Sequence, residues 1–271
     1  MSIQPNQPQP VGGVLDVAFQ LYKASMARVL PVCALAAVCD VPAAVYSLRF
    51  TAQMEAATDP GEILSLMGQL FTDPVYWSLI LASWLVKVWL FGALTLQMNA
   101  IANAGELKTA DAVRQATRPV ASLFLVSVLY LLIIVVGMVV LIPGIIFTVS
   151  LLFVALMVLL EGKGPFGALA ASHRLVWGCW WRTSAILTVG GIIAIVIYSS
   201  ASLVTGLLDP LFGAAASPVF DIASTVILTA AATIVLSPLY AALLLAIYWD
   251  LKLRKHGGDL AARVGALGVG A

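Results

Sequence analysis

Between Arg118 and Glu161 the chain carries no charged side chain, and Pro143 and Gly144 interrupt that run near its middle. A helix rises about 1.5 Å per residue and the hydrocarbon core of a bilayer is about 30 Å thick, so roughly 20 apolar residues make one crossing. The run therefore supplies two crossings joined by a tight turn. The rest of the chain agrees: 62% of its 271 residues are hydrophobic, only 10% are charged, and the mean hydropathy is +1.03. Globular domains carry about a quarter charged residues, so a soluble fold is excluded. A formal net charge of +1 also excludes a nucleic-acid partner, which needs a concentrated basic surface.

Charge-free apolar runs predict an all-α, polytopic membrane protein with six transmembrane helices at about 29–48, 75–98, 119–141, 145–160, 184–207 and 224–249. They form one membrane domain over 11–255, between a disordered tail at 1–10 and a C-terminal tail at 256–271. The opening residues offer Gln and Pro where a signal peptide has basic and apolar regions. Six crossings put both termini on one side. Lys23, Arg28, Lys108, Arg114, Arg118, Lys163, Arg174, Arg182, Lys252, Arg254, Lys255 and Arg263 fall on that side, with only Arg49 opposite. Glu55, Asp59, Glu62, Asp73, Asp209 and Asp221 populate the other face. Cations resist translocation, so both termini are expected in the cytoplasm and the chain in the plasma (inner) membrane. Tyr76 and Trp77, Trp180 and Trp181, and Tyr248 and Trp249 flank spans as interface anchors.

Before the first span, Leu15, Phe19, Tyr22 and Met26 recur at helical spacing opposite Asp16, Gln20 and Lys23, which predicts a cytoplasmic amphipathic interfacial helix at 13–27. Phe166, Leu169, Ala170, Val176, Trp177 and Trp180 form a comparable stripe before the fifth span, and Ala110 to Arg118 a shorter one before the third. Two readings fit: a threefold unit of interfacial helix plus hairpin, or the ordinary basic entry of any segment into a membrane. Outside, Asp59-Pro60-Gly61-Glu62 is a helix-start signature, so the 49–73 connection is expected to be partly helical.

Asp40 and Lys87 are the ionisable residues deep in predicted spans, each costing about 2.5–3.5 kcal/mol at a helix centre. Counting from the span ends places Asp40 roughly 12 Å and Lys87 roughly 18 Å deep, a gap the Lys stem can bridge. An ion pair between neighbouring helices is expected, serving as a structural staple or as part of a polar path; Lys87 snorkelling alone is the third reading. Pro42, Pro143 and Pro238 interrupt helical runs, and Gly190 with Ala194 and Ser202 with Gly206 are small residues suited to close helix packing. His173 and His256 lie outside any metal-binding or nucleophile-activating pattern, and HExxH, GxSxG and Gly-Lys-Ser motifs are missing from the sequence. The expectation is no catalytic residue, no metal and no cofactor. Cys33, Cys39 and Cys179 read as small buried hydrophobes.

Three stretches together resemble an uncharacterised bacterial family of six-helix membrane proteins, related to the membrane domain fused to some glycerophosphodiester phosphodiesterases. They are the opening Gly13-Val14-Leu15-Asp16-Val17-Ala18-Phe19-Gln20-Leu21-Tyr22, the central Pro143-Gly144 followed by Glu161-Gly162-Lys163-Gly164-Pro165-Phe166-Gly167-Ala168-Leu169 and Ser172-His173-Arg174-Leu175-Val176-Trp177-Gly178, and the closing Tyr248-Trp249-Asp250-Leu251-Lys252-Leu253-Arg254-Lys255-His256-Gly257-Gly258-Asp259-Leu260. The resemblance implies a shared fold and no particular chemistry. The function expected from these residues is non-enzymatic: a cytoplasmic basic belt of Lys23, Arg28, Arg114, Arg118, Arg174, Arg182, Arg254 and Lys255 engages membrane lipids or a protein partner. The alternative is a small-solute transporter or exporter component using Asp40 and Lys87.

Overall fold

The computed structural model of the chain describes residues 3–212 and 218–268. The side chains of Arg49, Glu55, Asp209, Asp221, His256 and Arg263, and the surroundings of Gly206, lie outside the described ones. Among the described residues all regular structure is helical: α1 (Val11–Val38), α2 (Val41–Ala56), α3 (Pro60–Thr72), α4 (Pro74–Ala102), α5 (Thr109–Thr117), α6 (Val120–Met138), α7 (Ile142–Ser150), α8 (Val154–Glu161), α9 (Pro165–Val176), α10 (Trp180–Phe212) and α11 (Pro218–Gly268). Six stretches are long and apolar enough to cross a membrane: Val11–Ser47, Pro74–Ala102, Val120–Met138, Ile142–Glu161, Trp180–Ser200 and Val226–Lys255. Large apolar side chains stay exposed along them, among them Leu131, Leu132, Val135 and Val136 on α6 and Ile192, Ile195 and Val196 on α10. Such a surface is a liability in water and suits a lipid solvent.

The core centres on α11, where every residue from Ala241 to Leu251 is buried. A helix buried all round occupies the middle of a bundle, and α1, α4, α9 and α10 pack on this one. Val14, Ala18, Leu21, Ser25, Val29 and Val32 form the buried stripe of α1. The expected boundary between an interfacial helix at 13–27 and a span at 29 is therefore absent. α1 instead runs on with Pro31 inside it, and the break comes at Cys39 and Asp40, where Pro42 removes a backbone donor. Gln97 Nε2 donates to the Arg28 carbonyl (3.2 Å) on the turn before Pro31.

The fourth span also differs from a single helix over 145–160. It breaks at Leu151 to Phe153, between α7 and α8, and Ser172 of α9 fills the gap: its hydroxyl donates to the Ser150 carbonyl (2.8 Å) and accepts from the Phe153 N–H (3.2 Å). These are backbone groups that an interrupted helix leaves unpaired. α9 buries Ala168, Ala171, Ser172, Leu175 and Val176, while Phe166 and Trp177 of the expected stripe remain exposed. Small residues allow α9 to pack tightly on its neighbours, and the bulky ones are left for the outer surface.

Gly137 and Gly144 face each other across the α6–α7 hairpin; a Cβ on Gly144 would stand 2.7 Å from the Met138 nitrogen. Gly190 of α10 sits against Leu243 of α11 in a similarly close approach. The helix start at Asp59-Pro60 is present as α3, and Asp73 caps α4 by accepting from the Val75 and Tyr76 N–H groups. The opening segment, expected to be disordered, is tied down instead: the Ile3 N–H bonds the Ala102 carbonyl (2.8 Å), and Gln9 is held by charged groups described below. At the other end, α11 continues through Gly257 and Gly258 to Gly268, so the expected tail at 256 starts within a helix.

Candidate functional site

Asp40 and Lys87 come together. Lys87 Nζ donates to both carboxylate oxygens of Asp40, at 2.7 and 2.8 Å, and Ser83 Oγ donates to Asp40 Oδ1 at 2.9 Å. Ser83 and Lys87 are four residues apart and share one face of α4. The break between α1 and α2 puts the carboxylate beside that face. With its side chain 31% exposed and that of Lys87 39% exposed, the pair is only partly enclosed. A cavity of about 140 Å³ reaches Lys87, bounded mainly by apolar side chains including Val32, Leu90, Phe91 and Leu94; Asp40 is not among its lining residues.

A second charged cluster surrounds Asp250, the buried acid of the central α11 segment, which is 1% exposed. Its Oδ2 accepts from Arg182 Nε (3.3 Å) and Nη2 (3.1 Å) and from Arg254 Nε (3.0 Å), and its Oδ1 accepts from the Gln9 N–H (2.8 Å). The Nη2 groups of both arginines also donate to the Gln9 carbonyl, Arg254 at 2.7 Å. One carboxylate, two guanidinium groups and one peptide thus close on each other, the kind of pairing a buried charge requires. Arg182 and Arg254, expected in the lipid-contacting belt, turn inward here and supply the counter-charge that the buried Asp250 carboxylate requires. The sequence signal that could have exposed this was the i,i+4 spacing of Asp250 and Arg254 at the end of an apolar run.

The third arrangement is an open cavity of about 350 Å³ between α8, α9 and α11, lined by Glu161, Lys163, Arg174, Lys252 and Lys255 over an apolar side of Met157, Ala171 and Leu175. Gly162 adopts a left-handed conformation (φ +63) that ends α8 and turns Lys163 back beside Glu161. The Glu161 carboxylate then accepts from Lys163 (2.7 Å), Lys252 (3.0 Å) and the Tyr248 hydroxyl (2.8 Å). Lys255 Nζ donates to the Trp177 carbonyl (2.7 Å) in the α9–α10 turn, where Gly178 has φ +89, and Arg174 Nε donates to Ala170 (3.3 Å). Lys163 and Lys252 were not among the expected contact residues; Glu161 recruits them.

Of the remaining belt residues, Lys23, Arg114 and Arg118 are exposed and pair with none of the described residues, and Arg28 is exposed and stands 3.7 Å from Glu106. His173 packs between the rings of Phe147 and Trp177. Cys33 is buried, Cys39 and Cys179 are half-buried, and all three are free thiols. Comparison with family models, curated proteins and solved structures finds no match for this chain.

Proposed function

We propose that this is a non-enzymatic plasma (inner) membrane protein with both termini cytoplasmic, whose basic face engages anionic lipid headgroups. The observation that carries the reading is the state of six expected belt residues: Lys23, Arg28, Arg114, Arg118, Arg174 and Lys255 are all exposed, on α1, α5, α9 and α11 and, for Arg118, in the turn after α5. Among the described residues only Arg28 of these six pairs with a carboxylate, Glu106 at 3.7 Å, and a cation beside an anionic leaflet is worth about 1 kcal/mol. Exposed Phe166, Trp177 and Trp181 supply the apolar and aromatic surface that sits at headgroup level. The six-helix resemblance noted in the sequence is consistent with this placement.

The transporter reading has less support, because the cavity that reaches Lys87 is small and mainly apolar. With Asp40 bonded by both Lys87 and Ser83, the pair fits a staple between helices. The lipid reading is tested by changing Lys23, Arg114 and Arg118 together to Gln and measuring phosphatidylglycerol retained on purification. Retention should fall well below that of the unaltered protein, and unchanged retention would remove the proposal. Reporter fusions at the two ends test the orientation; opposite compartments would overturn it.

A further inference from the structure

Resting on the lipid reading, we infer that the cavity between α8, α9 and α11 is a pocket for a phosphate monoester. Four cations, Lys163, Arg174, Lys252 and Lys255, face one carboxylate, Glu161, leaving three positive charges in excess. Glu161 does not cancel the site; it accepts from Lys163, Lys252 and Tyr248 and so fixes two ammonium groups at its rim. Each ammonium has three donors and spends one on a protein hydrogen bond, as Lys255 does on Trp177. Arg174 uses only its Nε, which leaves both terminal nitrogens for an anion.

The donor set selects among anions. A phosphate monoester carries about −1.5 to −2 charge and three strong acceptor oxygens. Cations arriving from three separate elements can each take a different oxygen, with the guanidinium supplying the planar, paired donors that phosphate favours. A diester has one charge and two free oxygens and would leave part of the set unused. Met157, Ala171 and Leu175 give the carbon side of the ester an apolar wall. The same chemistry is carried by the headgroup of phosphatidic acid and by a soluble phosphate ester.

The full-length protein in detergent is mixed with equal amounts of phosphatidic acid and phosphatidylglycerol, and the ratio of the two bound lipids is read by native mass spectrometry. The unaltered protein should prefer phosphatidic acid, and Arg174→Gln or Lys255→Met should each reduce that preference about fivefold. Arg174 touches only a carbonyl on its own helix, so its variant keeps the test valid if Lys255→Met unfolds. Glycerol 3-phosphate added in excess separates the sources: displacement of the lipid assigns the pocket to a soluble ester, and retention assigns it to the lipid headgroup. An unchanged preference in a folded Arg174→Gln variant overturns the inference. If Arg114→Gln with Arg118→Gln still lowers retention of both lipids, the broader reading stands without the pocket; if that variant also changes nothing, both fail.

Discussion

Replacing Asp250 with Ala removes the acceptor for three guanidinium N–H contacts and the Gln9 N–H and leaves Arg182 and Arg254 facing each other around the Gln9 carbonyl. Breaking a buried ion pair by deleting one partner costs about 3–5 kcal/mol. Here the two arginine side chains are 22% and 32% exposed and can turn partly toward solvent, so the expected loss is at the lower end, about 3 kcal/mol. Asp250→Asn keeps an acceptor and should lose about half as much, near the worth of one hydrogen bond to a charged group, roughly 1.5 kcal/mol. The measurement is reversible unfolding in mixed micelles with added dodecyl sulfate, followed by tryptophan fluorescence. Because Gln9 is bonded by all three charged side chains, removing residues 1–9 should cost less in the Asp250→Ala background than in the unaltered protein, by more than about 0.5 kcal/mol. Additive losses would refute the claim that the opening segment and the charged cluster act as one unit.

Lys87→Met should destabilise the protein by leaving the Asp40 carboxylate with only Ser83, and adding Asp40→Asn should restore much of the loss; additive losses in the same unfolding assay would argue against a staple. Ser172→Ala strips the partner from the Phe153 N–H and the Ser150 carbonyl and should cost about 1–3 kcal/mol, whereas a loss below about 0.5 kcal/mol would show that the α7–α8 break is satisfied by another group. Gly144→Ala drives a methyl into the backbone of Met138 and should cost about 1–3 kcal/mol. Gly190→Ala meets only the end of the Leu243 side chain, which can rotate away, so its loss should be the smaller of the two; the reverse order in thermal midpoints would contradict the packing described.

Six membrane-length helices could be read from the sequence because the cost of placing charge in hydrocarbon acts on each segment separately, and runs such as Val120–Met138 satisfy it without help from neighbours. Asp40 and Lys87 could be matched for a related reason: two opposite charges at similar depth have few other ways to be neutralised. The positions of the helix breaks were less legible. Pro31 and Pro238 lie inside continuous helices while Pro42 sits at the start of α2, just past the break, so a proline by itself did not mark where a helix ends.

The inward roles of Arg182 and Arg254 and the recruitment of Lys163 and Lys252 were decided only by tertiary structure. A stretch of sequence records that a cation is present and near the end of a span, but its partner depends on which element is packed beside it. Asp250 meets Arg182 across 68 positions and Gln9 across 241. Local hydrophobicity thus determined where this chain can reside, while long-range packing determined which of its charges are neutralised within the bundle and which remain at its surface.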